Sequence, residues 1–586
     1  MKRLTCSILV FALLLSSLAG CSNSNGKKDV SGNKNAVAAD PKLTVNKKVH
    51  IDQVGYRTAD KKQVIISGRG GAFEVIDSKS GKSVYSGKTE QQLDDTTGAS
   101  GDIVYIGDFS GVTAPGKYYI EVSGFGNSYE FSISDDVYNN VKDITLKGLY
   151  YQRCGIKLDS MYAGKWSHGE CHQSDGIIYT SQDKTLDGKG GWHDAGDYGR
   201  YSVAASITAA DILLAYDFFP EVFSDKSNIP ESGNEVPDVL DEARYGLEWL
   251  LKMQDQTTGG VYHKLTSSGF PDLITMPEAD VADQYFTPIS STATGDFTAV
   301  MAMAARIFKP LDTEFSDKCL AASEKAWKWL SKNKDLVFVN PTDITTGAYE
   351  DYQDGDERFW AAAELFRTTG KSEYRSYIKK LYSESLENNG FGWQNVGGFG
   401  SVAYIYADQK KADKEISKYL KLSLVNGTKD IRNTGNGDAY RVTLSQNDYG
   451  WGSNMNLMNQ ALQLIVANKL SPDKEFLQAA ENDLHYLLGR NTMDKTYITG
   501  IGSNPVLQPH HRPSVGDGIE APVPGLVCGG PDKNLDDDVA KSNLQAMRPA
   551  KCYIDDANSY STNEIDTYWI SPVVFVAAAF SADSEK

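Results

Sequence analysis

The sequence predicts two domains, a small β-sandwich followed by a large domain of α-helices. The chain has 586 residues, which is more than a single hydrophobic core usually organises. Between about Thr44 and Ile133 apolar and polar residues alternate as they do in β-strands, whereas beyond about Asp135 apolar residues recur with helical spacing. Hydrophobic residues make up 40% and charged residues 23% of the chain, which is typical of a soluble globular protein.

The first domain is predicted from short runs with a period of two, separated by Gly-rich or Asp/Ser-rich turns. The runs are VHIDQVGY, KQVIISG, AFEVIDSK, DIVYIGDFS, GKYYIEVSG and SYEFSISD. Their spacing is that of a sandwich, so we expect an immunoglobulin-like β-sandwich over residues 43–136. The runs contain no cluster of titratable residues that indicates catalysis.

The second domain, residues 137–586, is predicted from amphipathic helices. In Asn234–Gln254 apolar residues fall at i, i+3 and i+4 spacing. Similar stretches are Ser202–Phe218, Asp296–Phe308, Cys319–Leu330, Glu357–Phe366, Asn454–Asn468, Lys474–Leu488 and Pro572–Phe580. They predict an all-α domain, and paired helices would form a toroid of helical hairpins. The loops between them are long, as functional loops often are.

The N-terminus predicts the compartment. Lys2 and Arg3 precede an apolar run, residues 8–18, that is too short for a lasting membrane span and is typical of a signal peptide. The run ends in LAGC, which resembles the bacterial lipoprotein processing box, with cleavage before Cys21 and acylation of that residue. The alternative is a plain secretory peptide with an incidental cysteine.

We therefore expect a signal peptide over residues 1–20 and a polar tether over residues 21–42. The protein would be an extracytoplasmic, membrane-anchored bacterial lipoprotein on the cell surface or the periplasmic face. Its contact with the membrane would be the lipid anchor alone.

Net charge and cysteine content exclude some classes of protein. A net charge of −18 would repel a nucleic-acid backbone, so no nucleic-acid partner is expected. Of the 7 cysteines, Cys6 leaves with the signal peptide and Cys21 is used by the anchor. The remaining cysteines are odd in number and widely spread along the chain, so they do not indicate a disulfide framework. The 32 Tyr, 21 Phe and 9 Trp fit either a large aromatic core or stacking against sugar rings.

Paired carboxylates mark the first motif, GGWHDAGDYGRY, in which Asp194 and Asp197 are separated by Ala-Gly. Small intervening residues let a water or a substrate approach both side chains. One carboxylate can then accept a proton from the water that the other holds in place. A calcium loop or a capped turn is an equal alternative from the spacing alone.

Two further motifs lie toward the C-terminus. Glu564 ends YIDDANSYSTNE and has aromatic and apolar neighbours, and burial would raise its pKa as a general acid requires. An isolated structural Glu is the alternative. In TYITGIGSNPVLQPHHR, His510 and Arg512 can donate hydrogen bonds to sugar hydroxyls, although such a run could equally contact a metal or a phosphate.

Together these motifs resemble glycoside hydrolase family 9, an inverting cellulase family whose fold is a six-hairpin α/α toroid. Other stretches resemble the branch of the family with an immunoglobulin-like N-terminal domain. These are HIDQVGYR, DFSGVTAPGKYYIEV, LKGLYYQRC, EWLLKMQDQTTGGVYHKLT, FWAAAELF and YGWGSN. The resemblance thus covers nearly all of the predicted mature chain.

The resemblance implies hydrolysis of β-1,4-glucosidic bonds in cellulose-type β-glucans or cello-oligosaccharides by a monomer without an organic cofactor. Asp197 would be the general base, Asp194 would fix the water, Glu564 would be the general acid and Asp555 a supporting carboxylate. The residues expected to bind substrate are His510, Arg512, Tyr497, Trp393 and Trp451. The alternatives are a xyloglucan-directed or exo-acting hydrolase of the same mechanism, and a non-catalytic glycan-binding lipoprotein.

Two departures from the family pattern concern the substrate subsites. After Glu564 the family has a small residue and later an Asn, whereas this chain has Asp566 and Ile570. Many members carry an Arg at the position of Met455. Both departures predict altered subsites rather than lost activity.

A structural zinc site is predicted at Cys154, Cys171, His172 and His193. Two thiolates and two imidazoles form the closed tetrahedral set that non-catalytic zinc prefers. The spacing is not that of a zinc finger, so unliganded core residues are the alternative from the pattern alone. The resemblance favours zinc, because the immunoglobulin-bearing branch of the family has a zinc site with ligands in this order. In this chain the ion would hold the loop that carries Asp194 and Asp197.

A calcium site is a further candidate. The loop EDYQDGDE, residues 350–357, is rich in the hard oxygen ligands that calcium prefers. Asp356 and Glu357 resemble a calcium-ligating pair of the family. Acidic capping of the following helix explains the same residues nearly as well.

Overall fold

The structure, a computed structural model, describes residues 44–334, 336–384, 386 and 388–582. The predicted signal peptide, Cys21 and the tether lie outside the described residues. None of the described helices is long and apolar enough to cross a membrane. The five cysteines of the described part of the chain are all free thiols.

The N-terminal domain is a sandwich of two mainly antiparallel sheets, as predicted. One sheet has the strand order β1-β3-β7-β6, and the other has β2-β10-β8-β4-β5 with β9 paired to β8. The strands are β1 (Val49–His50), β2 (Gly55–Tyr56), β3 (Gln63–Ser67), β4 (Ala72–Asp77), β5 (Lys82–Lys88), β6 (Gln91–Asp94), β7 (Ile103–Asp108), β8 (Gly116–Val122), β9 (Gly126–Asn127) and β10 (Phe131–Ile133).

Strand β3 is buried on both faces, which explains the three consecutive apolar residues at its centre, Val64, Ile65 and Ile66. Val64 and Ile66 pack into the core between the two sheets. Ile65 points to the opposite face and packs with Ala439 and Tyr440 of the helical domain. The sandwich is therefore held against the helical domain by a second apolar cluster.

The rest of the described chain is dominated by helices. They are α1 (Asn139–Tyr151), α2 (Ser160–Ala163), α3 (Ser202–Phe218), α4 (Asp238–Met253), α5 (Ser291–Phe308), α6 (Thr313–Leu330), α7 (Gly355–Thr369), α8 (Ser372–Ser383), α9 (Gly397–Ile405), α10 (Lys414–Gly437), α11 (Ser453–Leu470), α12 (Lys474–Leu487), α13 (Arg512–Gly516), α14 (Asp538–Leu544), α15 (Tyr560–Asn563) and α16 (Thr567–Ser581).

The long helices form six pairs around a ring. In the described part of the chain the pairs are α3/α4, α5/α6, α7/α8, α9/α10, α11/α12 and α16/α1. The inner members α3, α5 and α16 are buried almost all round, whereas α4 and α12 are amphipathic and cover the outside. Helix α16 packs on both α3 and α11, so the last helix closes the ring. The predicted toroid of helical hairpins is confirmed.

Helix α16 illustrates where local signals fail. The sequence predicts a start at Pro572, a residue that favours the first turn. The helix instead begins at Thr567, with Asp566 as N-cap accepting from the backbone N–H of Tyr568. Packing against α1, α3 and α11 offsets the cost of a proline inside the helix.

Two small sheets add to the helical scaffold and were not predicted. One has the order β12-β11-β16-β15-β13, and the other pairs β14 with β17. The strands are β11 (Gly176–Ile178), β12 (Ser181–Leu186), β13 (Arg200–Tyr201), β14 (Val261–Tyr262), β15 (Lys264–Thr266), β16 (Tyr285–Phe286) and β17 (Ile289–Ser290). Runs of two to six residues carry little periodicity, so tertiary pairing decides them.

Candidate active site

One cavity of about 350 Å³ brings together residues from distant parts of the sequence. Its acidic lining residues are Asp194, Asp197, Glu564 and Asp566. Its aromatic lining residues are Tyr201, Phe270, Tyr349, Trp393, Trp451, Tyr568 and Trp569. The carboxyl groups come from the loop before α3 and from the segment between α15 and α16. Acidic groups between flat aromatic walls suit a substrate with both hydroxyl groups and apolar faces.

The loop that carries Asp194 and Asp197 is held in place by hydrogen bonds to its backbone carbonyl groups. The side chain of Gln152 donates to the carbonyl oxygens of His193 and Ala195 at 3.2 and 3.0 Å. The backbone N–H of Thr567 donates to the carbonyl of Asp194 at 2.9 Å, which ties the loop to the start of α16. These bonds fix the loop in position relative to the other side of the cavity.

A glycine is required between the two carboxylates for steric reasons. A Cβ added to Gly196 would lie 2.1 Å from the carbonyl oxygen of His510. The small residues of this loop therefore permit close packing against the segment that carries His510. From the sequence alone, these small residues indicated only room for a water or a substrate to approach.

Asp197 is buried but lines the cavity. Its Oδ2 accepts hydrogen bonds from the backbone N–H of Gly199 at 2.9 Å and from the hydroxyl of Tyr201 at 3.3 Å. Both bonds use the same oxygen, so neither occupies Oδ1. Tyr201 is held in turn by strand β13, whose partner is β15. A carboxylate with one oxygen tethered is positioned to accept a proton through the other.

Asp194 and Asp566 share one hydroxyl group. The Tyr349 oxygen lies 2.7 Å from Oδ2 of Asp194 and 3.0 Å from Oδ2 of Asp566. A hydroxyl has one proton, so both bonds can form only when one of the two carboxyls is protonated. Burial and then the charge of Asp197 raise the pKa of Asp194, and burial and then Asp194 raise that of Asp566. Asp566 thus lies in the catalytic pocket itself.

Tyr349 was missed by the sequence analysis because nothing in its local sequence marks it. Its backbone has a φ of 49°, a left-handed conformation that is rare for a tyrosine. Such strain is frequent at functional sites. In Tyr349 the strained backbone occurs together with hydroxyl contacts to two acidic side chains.

Glu564 is fixed by backbone contacts on both sides. It forms a parallel bridge with His510, and its carbonyl accepts from the N–H of Gly529 at 2.9 Å. Burial, and then the negative charge of Asp197, raise the pKa of Glu564 to about 8. Arg512, Trp451 and the backbone of Gly196 oppose the shift without cancelling it. Glu564 is therefore mostly protonated at neutral pH.

His510 and Arg512 lie beside the carboxylate loop but do not line the cavity described above. His510 Nδ1 donates to the carbonyl of Ala557 at 2.7 Å, which leaves Nε2 for another partner. Arg512 donates through Nε to Pro271 at 3.0 Å and through Nη1 to Gly196 at 2.6 Å. These bonds of Arg512 support the backbone of the loop.

The remaining predicted residues separate into two groups. Trp393 and Trp451 lie in the cavity wall, and Trp451 is 45% exposed. Asp555 lies outside it, where it accepts from Lys495 Nζ at 2.8 Å and from the backbone of Gln508 at 2.9 Å. Through the second bond it positions the segment leading to His510.

The prediction that Tyr497 contacts substrate is wrong. Its side chain is 0% exposed and lies between the rings of Tyr486 and Tyr553, with centroids 6.1 and 5.1 Å away. A side chain without accessible surface cannot touch a ligand. The aromatic residue in a glycine-rich motif is in this case part of the core.

The four predicted metal ligands converge. Cys154 Sγ lies 3.9 Å from Cys171 Sγ and 3.4 Å from His172 Nδ1. His193 Nε2 lies 3.7 Å from Cys171 Sγ and 3.5 Å from His172 Nδ1. Atoms ~2.0–2.3 Å from a central ion in a tetrahedron are roughly 3.3–3.8 Å apart, so the set fits zinc. Asp280 lies 3.4 Å from the other nitrogen of His172, as carboxylates often do at metal-bound imidazoles.

The predicted calcium pair is buried at the start of α7. Asp356 accepts from the backbone N–H of Val396 at 2.8 Å. In the part of the chain that the structure describes, the buried carboxylate oxygens of Glu357 and of nearby Asp296 accept no hydrogen bond, and burial raises the pKa of both groups. Within the described ranges only the Cys/His group brings three or more ligand atoms within 4.8 Å of one another. Calcium therefore stays a prediction.

A helical toroid whose pocket combines carboxyl groups from two distant segments with aromatic walls has the features of a glycoside hydrolase. The family model "Glycosyl hydrolase family 9" matches residues 138–577, and "Cellulase N-terminal ig-like domain" matches residues 44–127. The chain belongs to glycosyl hydrolase family 9.

Two curated relatives match over nearly their full length. A "Cellodextrinase" of Butyrivibrio fibrisolvens is 36% identical over 90% of this chain and 98% of its own. A "Xyloglucan-specific endo-beta-1,4-glucanase" of Bacteroides ovatus is 33% identical over 93% of this chain and 96% of its own.

Two solved structures are similar throughout. AaCel9A in complex with cellobiose-like isofagomine has a TM-score of 0.86 and 35% identity, covering 91% of this chain and 99% of its own. A Zn-binding triple mutant of the family 9 endoglucanase J30 has a TM-score of 0.85 and 33% identity, covering 90% of this chain and 100% of its own.

Proposed function

We propose that the protein hydrolyses β-1,4-glucosidic bonds of cellulose-type glucans or cello-oligosaccharides with inversion. Asp197 is the general base and Glu564 the general acid. The observation that carries this assignment is the shared cavity, in which Asp197 has a tethered carboxylate and Glu564 has a pKa of about 8. An acid–base pair needs one group ionised and the other protonated at the same pH.

The residues divide the reaction between them. Asp197 accepts the proton of the attacking water, and Asp194, held through Tyr349, accepts the water's second hydrogen bond. Glu564 donates its proton to the leaving glycosidic oxygen. Inverting glycosidases place the two carboxyls ~6.5–9.5 Å apart so that the water fits between base and anomeric carbon. The aromatic walls stack against the sugar rings.

The stereochemistry of early products tests this mechanism. Proton NMR of cellohexaose digestion should show the α-anomer first, because a single displacement inverts the β-linkage. First appearance of the β-anomer would mean a double displacement and would remove the base role of Asp197. A parallel digestion of xyloglucan separates the cellodextrinase activity from the xyloglucanase alternative that the Bacteroides relative suggests.

Zinc is the metal proposed for Cys154, Cys171, His172 and His193. The donor set and its convergence support this choice, and the solved J30 mutant binds Zn in the same fold. The four ligands fill a tetrahedron and leave no position for substrate. The ion would stabilise the loop that begins at His193, and the proton transfers would remain with the carboxyl groups.

Replacing Cys171 with serine should release the zinc and lower the midpoint of thermal unfolding, because a closed site contributes to folding free energy. Elemental analysis of chelator-washed protein should find about one zinc per chain before the change and none after it. Cys319→Ser, at a buried cysteine outside the group, should keep the zinc. Unchanged zinc content in the Cys171 variant would contradict the site.

Elemental analysis of the protein before any chelator wash tests the calcium prediction.

We also propose that Cys21 carries a lipid anchor in a bacterial envelope, supported by the LAGC sequence at residues 18–21. In a bacterial host, Cys21→Ser should move the protein from the membrane fraction to the soluble fraction, because the acylated thiol is lost. A variant that stays with the membrane would argue against lipid anchoring.

A further inference from the structure

A fully buried lysine lies behind the catalytic pocket, outside the acid–base chemistry proposed above. Lys264 is 0% exposed, and lysine is rarely buried to this extent unless it is paired. Its Nζ donates to the carbonyl of Gly347 at 2.6 Å and to the hydroxyl and the carbonyl of Thr346 at 3.2 and 3.3 Å. These three acceptors match the three protons of the ammonium, and all of them are neutral. A buried cation held by neutral groups costs free energy, so its position requires a reason.

The hydrogen bonds of Lys264 position one wall of the catalytic pocket. The preceding residue, His263, donates through Nε2 to the carbonyl of Ala348 at 2.9 Å. The two side chains thus hold the carbonyls of three consecutive residues, 346–348. Two of these three residues line the pocket, and Tyr349 follows them directly. Lys264 therefore helps to fix the loop that presents the Tyr349 hydroxyl.

The register of the small sheet also places Lys264 beside the proposed general base. In the antiparallel pair β13/β15, Lys264 lies directly opposite Tyr201. Directly opposite residues project to the same face of a sheet, and Nζ lies 5.5 Å from the centroid of the Tyr201 ring. The hydroxyl of Tyr201 donates to Asp197 at 3.3 Å. A single tyrosine thus connects the ammonium to the carboxylate of the base.

The charge of Lys264 has a role that its hydrogen bonds do not explain. The titratable groups that face Asp197 are those of Asp194, Tyr201, Lys264, His510 and Glu564. Burial lowers the pKa of Lys264 to about 7, against the charges of Asp197, Asp194 and Glu350, so the ammonium is present at mildly acidic pH. Burial also lowers the pKa of His510, which favours its neutral form. Lys264 is therefore the cation of this set in the range where a carboxylate base takes up its proton.

We propose that Lys264 is a positioning residue of the reaction. Its hydrogen bonds fix the loop that carries Tyr349, and its positive charge, one tyrosine away, keeps Asp197 ionised as the general base. The inference rests on the proposed function and adds to it the electrostatic support of the base. A neutral side chain can make hydrogen bonds, so the charge is the part to test.

The test removes the charge in two ways. Lys264→Met keeps the length of the side chain, and Lys264→Gln keeps a hydrogen-bond donor. Lys264→Arg retains the charge, and Lys184→Met, at an exposed lysine of the same small sheet, is the matched control. For each protein kcat/KM on an aryl β-cellobioside with a good leaving group is measured across the acidic and alkaline range, together with the midpoint of thermal unfolding.

In the two uncharged variants the acidic limb of the profile should move upward by roughly 0.5–1 pH unit, because Asp197 takes up a proton more easily without the nearby cation. The alkaline limb near pH 8 should stay, since burial and Asp197 raise the pKa of Glu564. The ratio of parent to variant activity should therefore be largest at acidic pH. Lys264→Arg and Lys184→Met should keep the acidic limb of the parent.

A purely structural lysine gives a different result, a lower kcat at every pH with the acidic limb in place. That result overturns the inference, and so does an Arg variant whose limb moves as far as that of the Met variant. If neither uncharged variant folds, Lys264 is a residue of the fold and the inference is rejected. The proposed function fails separately, if the unaltered protein cleaves no glucan or if Asp197→Asn remains active.

Discussion

Replacing Glu564 with glutamine should lower kcat on cello-oligosaccharides by roughly 10²–10⁴, the usual contribution of a general acid. Glutamine keeps the shape of the side chain and its backbone contacts with His510 and Gly529 but has no proton to donate. Initial rates at saturating substrate measure the effect. Glu74→Gln, at an exposed glutamate of β4, is the matched control and should leave kcat unchanged.

Two further measurements separate lost acid catalysis from lost structure. On aryl glycosides with good leaving groups the Glu564→Gln defect should be smaller, because such groups need little protonation. In the unaltered protein kcat/KM should fall as the pH rises through about 8, since the active form of Glu564 is protonated below its pKa. This alkaline limb should be absent from the variant. Near-normal turnover, or an equal defect on all leaving groups, would contradict the acid role.

Replacing Asp197 with alanine should also lower kcat by roughly 10²–10⁴, because the variant lacks the carboxylate that is proposed to accept the proton of water. In this case the defect should persist on aryl glycosides with good leaving groups, since water must still be activated. The Glu564 and Asp197 variants therefore differ in their dependence on the leaving group. That difference tests the two roles independently of the overall loss of rate.

The controls for Asp197 address folding. The Asp197→Ala chain loses the hydrogen bonds from Gly199 and Tyr201, so its thermal unfolding is compared with that of the parent. Asp197→Asn, which keeps a side-chain oxygen for both donors, should fold normally and remain inactive. Asp183→Asn, at an exposed position of β12, should keep full activity. An active Asp197→Asn chain would exclude the general-base role.

Local sequence was sufficient where a structure depends on neighbours along the chain. Helix α3 spans the predicted Ser202–Phe218, because its apolar residues repeat without interruption and its ends coincide with that pattern. The period-two runs likewise became the strands of the sandwich. The long helix α10, which carries 24 residues, was missed because polar residues dominate much of its length.

The metal and carboxylate motifs were recognisable because they resemble those of a known family, whereas their residue types and spacing alone left the alternatives open. Cys154, Cys171, His172 and His193 could be named before their distances were known. Tyr349 and Tyr497 show the limit of this reasoning. One tyrosine without a motif lies between two acidic groups of the pocket, and the other, within a motif, is enclosed in the core.

The sequence by itself determined the two domains, the paired helices and the set of residue types available for catalysis, because these depend on periodicity and side-chain chemistry. Only the tertiary structure decided which of those residues share a cavity. It also decided the raised pKa of Glu564 and the burial of Tyr497. Burial and the charges of neighbours from distant segments set these properties, and neither is encoded in any local stretch of the chain.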